Sequence, residues 1–371
     1  LRRQTLRSII AVTGELGEIS KVSRGVDSWI TYNTVEKEYF TVYSDAGNSY
    51  GQALGSECSF KNAKPQFIIQ DYVRTVAYNS RSNSYAVIGE TSDTKNPNAV
   101  TIFDHSGNIL KRVAPFNWNR DRVKIGMFNP MIEANTNDGT FAAVTSKDYE
   151  LTMFVANIGF RFDNNGGSGG GTTASNGQPS IIAQKELGSG TFPDVAFYDG
   201  KLWLAVQQDN QLKLYNFAPD LSDQQVTTIP INGGQAFPKL AVQNSILWLA
   251  YRAGDNSAGT TESIKLWRSD AQAIEDLGGG FGNDPVAAGN GYVAWQKDGK
   301  VLRRPLAGGN FVVIRDQLPT GISRILPDGS IKMVDEDRAI ILGFFSPSFA
   351  GDMTVAEDND NGVIAFFNND M

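Results

Sequence analysis

Polar side chains recur at equivalent places along this sequence, and their types suit ligand binding. Each follows a short apolar run, the clearest runs being 201–206, 246–251 and 291–295. The recurring residues are Glu90, Ser146, Gln207, Arg252 and Gln296. Arginine offers paired donors, whereas the glutamine amide offers both a donor and an acceptor. Because equivalent positions of a repeat fold share one face, we predict a binding site for sugar hydroxyls, a carboxylate or a peptide at Glu90, Gln207, Arg252 and Gln296.

Two simpler roles fit the same residues. They suit ordinary solvated turns, and Arg252 also suits an internal ion pair, because acidic residues follow each position closely. These acids are Asp93, Asp148, Asp209, Asp255 and Asp298.

Trp118 is a further candidate binding residue. It lies in the polar connection 116–121, outside the repeated pattern. Aromatic rings on loops are natural stacking platforms for sugars or for partner side chains. The alternative is a ring folded back over the edge of a neighbouring sheet.

Several kinds of catalytic and metal chemistry are excluded by composition. One cysteine, Cys58, and one histidine, His105, rule out a cysteine-rich zinc site and a multi-histidine metal centre. The acidic segment 357–362 is rich in oxygen ligands, but it lacks the spacing of a calcium-binding EF-hand and favours a polar hairpin turn. We predict no metal and no cofactor, with His105 in a solvated turn and Cys58 packed as a small apolar side chain.

The apolar runs repeat with a regular period. Aligned on Ala205, Ala250 and Ala294, they are spaced by 45 and 44 residues. A weaker copy at Ala143 lies 62 residues before Ala205. The glycine-rich segment 163–179 accounts for this excess, and its composition predicts a flexible loop inside one repeat.

A period near 45 residues built from short apolar strands is typical of a β-propeller blade. The sequence therefore predicts an all-β chain, with one domain over 1–371 and seven four-stranded blades. Six blades are the alternative, because 317–347 fits no clean repeat. The segments 353–356 and 362–367 have the pattern of inner strands, so we expect an N-terminal strand around 5–12 to complete that last blade and close the ring.

One segment resembles a known motif of propeller enzymes. Residues Tyr43 to Tyr50, Tyr-Ser-Asp-Ala-Gly-Asn-Ser-Tyr, are similar to the Asp box of sialidases. That motif is a folding element of a strand-connecting turn, so the resemblance implies fold rather than catalysis. A sialidase-like glycoside hydrolase would also need three arginines around a carboxylate and a tyrosine paired with a glutamate, and 160–162 is only faintly similar to the family's arginine segment.

Charge and composition argue against some partners and favour one class of binding function. The net charge of −7 argues against a nucleic-acid partner, and no apolar run approaches the length of a membrane span. Residues 1–12 do not have the pattern of a signal peptide. The Gly-, Asn-, Asp- and Ser-rich composition is similar to that of extracellular bacterial or bacteriophage attachment proteins, including tail and spike propellers.

The leading hypothesis is thus a non-enzymatic module that binds a glycan or a protein receptor at an extracellular or virion surface. A bacteriophage virion component is one form of this hypothesis. The alternatives are a sialidase-like glycoside hydrolase and a protein-interaction scaffold.

Overall fold

The structure is a computed structural model that describes most of the residues from 26 to 368. The described ranges are 26–33, 35–36, 38–45, 48–54, 66–70, 72–90, 98–113, 131–135, 139–147, 152–159, 180–254, 262–279, 286–289, 291–315, 321–325, 331–335, 338–344, 352–358 and 363–368. Every regular element in these ranges is a β-strand. No helix in this part of the chain is long and apolar enough to cross a membrane.

The described strands form seven antiparallel sheets, each from consecutive strands. The first sheet contains β1 (Val26–Asn33), β2 (Glu38–Asp45), β3 (Asn48–Leu54) and β4 (Gln66–Gln70). The second contains β5 (Tyr72–Asn79), β6 (Ser84–Glu90), β7 (Asn98–Asp104) and β8 (Ile109–Val113). The third contains β9 (Met131–Asn135), β10 (Thr140–Lys147), β11 (Thr152–Gly159) and β12 (Ser180–Ser189). The fourth contains β13 (Thr191–Tyr198), β14 (Lys201–Gln208), β15 (Gln211–Phe217) and β16 (Gln225–Ile229).

The fifth sheet contains β17 (Lys239–Gln243), β18 (Ile246–Ala253), β19 (Ser263–Arg268) and β20 (Ile274–Gly278). The sixth contains β21 (Val286–Gly289), β22 (Tyr292–Lys297), β23 (Lys300–Pro305) and β24 (Val312–Arg315). The seventh has five strands, β25 (Gly321–Ile325), β26 (Ile331–Asp335), β27 (Arg338–Phe344), β28 (Asp352–Asp358) and β29 (Val363–Asn368).

The first strands of successive sheets are neighbours in chain order. β1 contacts β5, β5 contacts β9, and the series continues through β13, β17 and β21 to β25. Successive antiparallel sheets of four strands, joined through their first strands, are the arrangement of blades in a β-propeller. The prediction of an all-β chain built from four-stranded sheets is confirmed.

The last sheet differs from the sequence-based prediction. The strands β25, β26 and β27 are its first three, so 353–356 lie in the fourth strand, β28, and 363–367 lie in the fifth, β29. Their interpretation as inner strands was wrong, because an alternating apolar pattern shows that one face is covered without showing a strand's place in the sheet. The proposed closing strand at 5–12 lies outside the described residues.

The glycine-rich segment separates two paired strands. β11 and β12 pair antiparallel across it, for example Val155 with Lys185. Residues 163–179 themselves lie outside the described residues, as does Cys58.

The hydrophobic core lies between neighbouring sheets. One cluster joins Trp248 and Leu266 of the fifth sheet to Val286 and Val293 of the sixth. Ala205, Ala250 and Ala294, which marked the period, are fully buried. These alanines lie on β14, β18 and β22, the second strands of their sheets. Because a second strand is covered on both faces, its sequence is apolar with little alternation.

Asparagines at the ends of first strands connect one sheet to the next. Asn33 ends β1, and its Nδ2 donates to the Tyr85 hydroxyl of the second sheet at 2.9 Å. Asn79 ends β5, and its Nδ2 donates to the Thr140 carbonyl oxygen of the third sheet at 2.9 Å. The Oδ1 atom of each accepts hydrogen bonds from backbone N–H groups of its own turn. Each buried amide therefore stabilises a turn and a sheet contact together.

Close backbone approaches occur where the chain passes from one sheet to the next. Gly279 follows β20, has φ of 75° and lies where a Cβ would be 2.1 Å from the Gln296 carbonyl oxygen. Gly299, in the β22–β23 turn, has φ of 76° and open space around the same position. The two glycines share a conformation but differ in the room available.

We expect Gly299→Ala to lower the free energy of unfolding by about 1 kcal/mol, the cost of a left-handed backbone with a Cβ. Gly279→Ala should lower it by about 3 kcal/mol or more, because backbone must also move to relieve the contact. Urea denaturation followed by tryptophan fluorescence measures both values. Equal losses would show that the crossover at Gly279 is not closely packed.

Candidate functional site

The recurring polar residues lie at the same end of the second strand in successive sheets. Ser146, Gln207, Arg252 and Gln296 are each the penultimate residue of their strand, and Glu90 is the last residue of β6. They belong to the strands rather than to the turns that follow. Their predicted equivalence is thus visible in the structure, and the polar side chains described among them are buried.

Gln207 binds the segment that connects the fourth sheet to the fifth. This segment, residues 230–238, is called the 230–238 crossover below. Gln207 Nε2 donates to the Gly234 carbonyl oxygen at 2.8 Å, and Gln207 Oε1 accepts from the Ala236 backbone N–H at 2.8 Å. Because both polar atoms of the amide have protein partners, Gln207 holds the crossover as a paired hydrogen-bond clip.

Arg252 holds the same crossover from the fifth sheet. Its backbone N–H donates to the Ala236 carbonyl oxygen at 2.7 Å, and its Nε donates to the Gln235 carbonyl oxygen at 2.8 Å. The guanidinium carbon lies 4.7 Å from the centre of the Phe237 ring, a cation–π arrangement. Arg252 Nη1 also lies 3.6 Å from Glu262 Oε1.

The ion pair of Arg252 fits the alternative role given to it from the sequence, with a different partner. Sequence reasoning considered Asp255, which lies outside the described residues, and missed Glu262. Glu262 is close to Arg252 because β18 and β19 pair, with Ala253 opposite Ser263. The connection between β18 and β19 is too long for the sequence alone to predict which residues of the two strands pair.

The remaining candidates fall into three groups. Gln296 is buried where Gly279 approaches its backbone. Asp209 and Asp298 open two-residue hairpin turns with φ of 50°, a conformation that aspartate tolerates, so they serve the turns. Only the backbone of Glu90 is described, and Trp118 lies outside the described residues, as do Asp93, Asp148 and Asp255.

The binding role of Glu90, Trp118, Gln207, Arg252 and Gln296 stays a prediction. The contacts of Gln207 and Arg252 show that these side chains already bind backbone atoms of their own chain. Removing them would disturb the fold before it tested a ligand.

A tyrosine and a glutamate do meet, at the interface of the first and second sheets. The Tyr85 hydroxyl donates to Glu38 Oε1 at 3.2 Å while accepting from Asn33. Tyr85 and Glu38 are both buried, and burial, assisted by the charge of Glu38, raises the pKa of Tyr85 well above its ordinary value. A neutral phenol closed off from solvent stabilises this interface and is unsuited to the nucleophile role that the sialidase alternative requires.

No group of three or more metal-binding side chains occurs in the described ranges. His105 is exposed in the turn between β7 and β8, as predicted. Asp104 Oδ1 closes that turn by accepting from the Ser106 and Asn108 backbone N–H groups at 2.9 and 2.8 Å. In the acidic segment 357–362, Asp358 ends β28 and pairs antiparallel with Val363 of β29, while 359–362 lie outside the described residues.

Most of the large apolar side chains that are exposed among the described residues lie on or beside the outermost strands, a feature that the sequence did not predict. They occur on or beside the fourth strands of five sheets: Ile109, Leu110, Ile182, Val226, Ile274, Phe311, Val312 and Val313. The other two are Val35, in the β1–β2 turn, and Val242, on the first strand β17. The sequence did not reveal this exposure, because an apolar residue in a short predicted strand is normally expected to be buried in the core. In these five sheets the fourth strand pairs with no further described strand, so its side chains have a neighbouring strand on one side only.

Comparison with solved structures agrees with the fold. A chain of a mitotic checkpoint complex is similar with a TM-score of 0.52, at 12% identity over 86% of this chain and 87% of that one. Hydrazine synthase from Kuenenia stuttgartiensis is similar with a TM-score of 0.53, at 9% identity over 85% and 95%. The β-propeller domain of the trilobed protease from Pyrococcus furiosus has a TM-score of 0.49, at 12% identity over 91% and 95%.

The two likenesses with TM-scores above 0.5 support the fold alone, because their sequence identities are low and a shared fold does not imply a shared activity. No protein-family model matches the sequence, and no curated protein matches it at a significant level.

The clip formed by Gln207 is open to a pH test. In Gln207→Glu, an ionised carboxylate would face the Gly234 carbonyl oxygen, whereas the protonated form can donate to it as the amide does. We expect a loss in free energy of unfolding of about 2–4 kcal/mol near pH 7, and a smaller loss near pH 4.5.

The loss in free energy of unfolding is smaller at low pH because the folded variant binds the proton of the new carboxyl group more tightly than the unfolded chain does. Denaturation curves of variant and wild type at both pH values measure the difference. Gln211→Glu, at an exposed position on β15, is the matched control and should change little at either pH. A loss that does not vary with pH would contradict the clip.

Proposed function

We propose that this chain is a non-enzymatic binding module, a β-propeller that serves as a scaffold for a protein partner. The observation that carries the proposal is the distribution of side chains just described. The polar candidates on the second strands bind their own backbone, whereas apolar side chains on the outermost strands face solvent. Exposed apolar surface supports protein contact better than it supports recognition of sugar hydroxyls.

The proposal includes a closed ring of seven blades. Six successive contacts between first strands, from β1 to β25, support it. Closure would place the seventh sheet beside the first and would cover the outward face of each. A rigid ring suits a scaffold, because partners would meet edges held in fixed positions.

The similar chain in a mitotic checkpoint complex supports the proposal in one respect, since it shows this kind of fold within an assembly. A protein receptor, as in the attachment hypothesis, is one such partner. Placement at an extracellular or virion surface stays a prediction.

The test compares peptide, sugar and hydrolysis readouts on the intact protein. Immobilised protein is used to select a displayed library of random twelve-residue peptides, with heat-denatured protein as the control for nonspecific apolar binding. We expect a consensus that binds the folded protein alone, with Kd in the range of roughly 1–100 μM by calorimetry.

The same preparation is applied to a glycan array and to fluorogenic sialosides. Binding of one sugar class without any peptide consensus would overturn the proposal in favour of carbohydrate binding. Release of fluorophore would overturn it in favour of the sialidase-like alternative.

A further inference from the structure

The 230–238 crossover contains an exposed Asn–Gly pair. Asn232 is exposed and is followed by Gly233, and both residues have a left-handed backbone, with φ of 56° and 94°. No other described asparagine precedes a glycine. The side-chain carbonyl carbon of an asparagine can be attacked by the backbone nitrogen of the next residue, and a glycine there leaves that nitrogen unshielded by a Cβ.

Both reacting groups of the pair are free among the described residues. The Asn232 side-chain amide and the Gly233 backbone N–H make no hydrogen bond in this part of the chain. Asn244 differs, although it is also exposed and left-handed, because its Oδ1 accepts from Gln243 Nε2 at 3.3 Å. The amide of Asn232 can therefore turn towards Gly233 without losing a partner.

The reaction open to this pair is deamidation. The Gly233 nitrogen gives up its proton and attacks Asn232 Cγ, the new C–N bond closes a five-membered succinimide, and the bond to the side-chain nitrogen breaks to release ammonia. Water then adds to the ring and breaks one of its two C–N bonds. One cleavage gives aspartate, and the other gives isoaspartate, in which the backbone runs through the former side chain. Because the attacking nitrogen must lose its proton, the reaction becomes faster as the pH rises.

The local backbone can accommodate the ring. A succinimide contains the atoms that define ψ of Asn232 and leaves φ free, so the left-handed φ of this residue can be kept. Gly233 can follow the change in ψ, because glycine adopts positive and negative φ about equally readily. The exposure of Asn232 gives water access to the ring.

Both sides of the pair are anchored on Gly254, the residue that follows β18. The Gly254 backbone N–H donates to the Ile231 carbonyl oxygen at 2.7 Å. Gly234 packs so closely on the same residue that a Cβ would lie 2.7 Å from the Gly254 carbonyl oxygen, and its own carbonyl oxygen is held by Gln207. Isoaspartate adds one methylene to the backbone between these two anchors, so one of them must be released. Aspartate leaves the backbone length unchanged.

We propose that Asn232–Gly233 is a self-modification site, at which deamidation to isoaspartate loosens the joint between the fourth and fifth sheets. The step consumes only water, so the inference does not depend on the proposed scaffold function. It gives the folded protein an intrinsic clock.

Peptide mapping of protein aged in mildly alkaline buffer measures the reaction. Asn210 is the matched control, since it is exposed with φ of 59° but precedes Gln211. We expect conversion at Asn232 to be at least about tenfold faster than at Asn210, because glycine leaves the attacking nitrogen unshielded. Mass spectrometry detects the exchange of amide for carboxyl, and electron-transfer fragmentation distinguishes isoaspartate from aspartate. Equal rates at the two sites, or conversion of Asn232 only in denaturant, would overturn the proposal.

Two variants separate the reaction from its effect on the joint. Asn232→Gln has a side chain one methylene longer, which disfavours ring closure, so its urea midpoint should not fall on ageing. Fresh Asn232→Asp has the charge of the product on a normal backbone and should unfold close to the wild-type midpoint. Wild type enriched in isoaspartate should unfold at a lower urea concentration than either variant.

Two results would contradict a loosened joint. An isoaspartyl form as stable as the fresh protein would show that the crossover absorbs the longer backbone. An equal loss of stability in fresh Asn232→Asp would show that the added charge, rather than the added methylene, is responsible.

Discussion

The structure depends on one constraint, that a narrow four-stranded sheet must be covered on both faces. No single sheet here can meet this requirement, because it contains too few residues to build a core of its own. Each cluster of buried side chains is accordingly shared by two sheets, as where Leu204 of β14 packs with Ala142 and Val144 of β10. Small side chains such as Ala205 let neighbouring sheets approach, and the larger ones beside them fill the space. Hydrophobic burial is therefore a property of pairs of sheets.

The same constraint explains why the polar residues at strand ends are engaged. Where the chain leaves one sheet and begins the next, its backbone runs through partly buried surroundings and needs hydrogen-bond partners. Gln207 and Arg252 supply them at the 230–238 crossover. At the other end of the sheets, Asn33 and Asn79 bind the backbone of hairpin turns within a sheet and donate to the neighbouring sheet. A buried polar side chain that binds backbone makes the joint specific as well as stable.

The sequence was sufficient to predict the repeat, because a second strand that is buried on both faces must be apolar, and such an apolar run recurs about every 45 residues. It was also sufficient to place Gln207, Arg252 and Gln296 at equivalent positions. It did not show that these side chains are buried, since glutamine and arginine are mostly exposed and their types alone predict solvent contact. The Glu262 partner of Arg252 and the strand order of the last sheet depend on register, which is set by packing among distant residues. The exposed run at Phe311 was missed for the opposite reason, because apolar residues in short strands predict burial.

The serial construction of the sheets has a consequence for how the molecule forms. Because each sheet is made from consecutive strands and contacts chiefly the sheets before and after it, most of its pairings join residues that are close along the chain. Loops of this size close at low entropic cost, so a sheet can assemble while the following residues are still being synthesised. Each finished sheet then offers its open face as a template to the next, and folding can proceed from one end of the chain to the other. In the closed ring proposed above, a contact between the first and last sheets would be different in kind, since it would join strands far apart in the sequence and could form only when all the other sheets are in place.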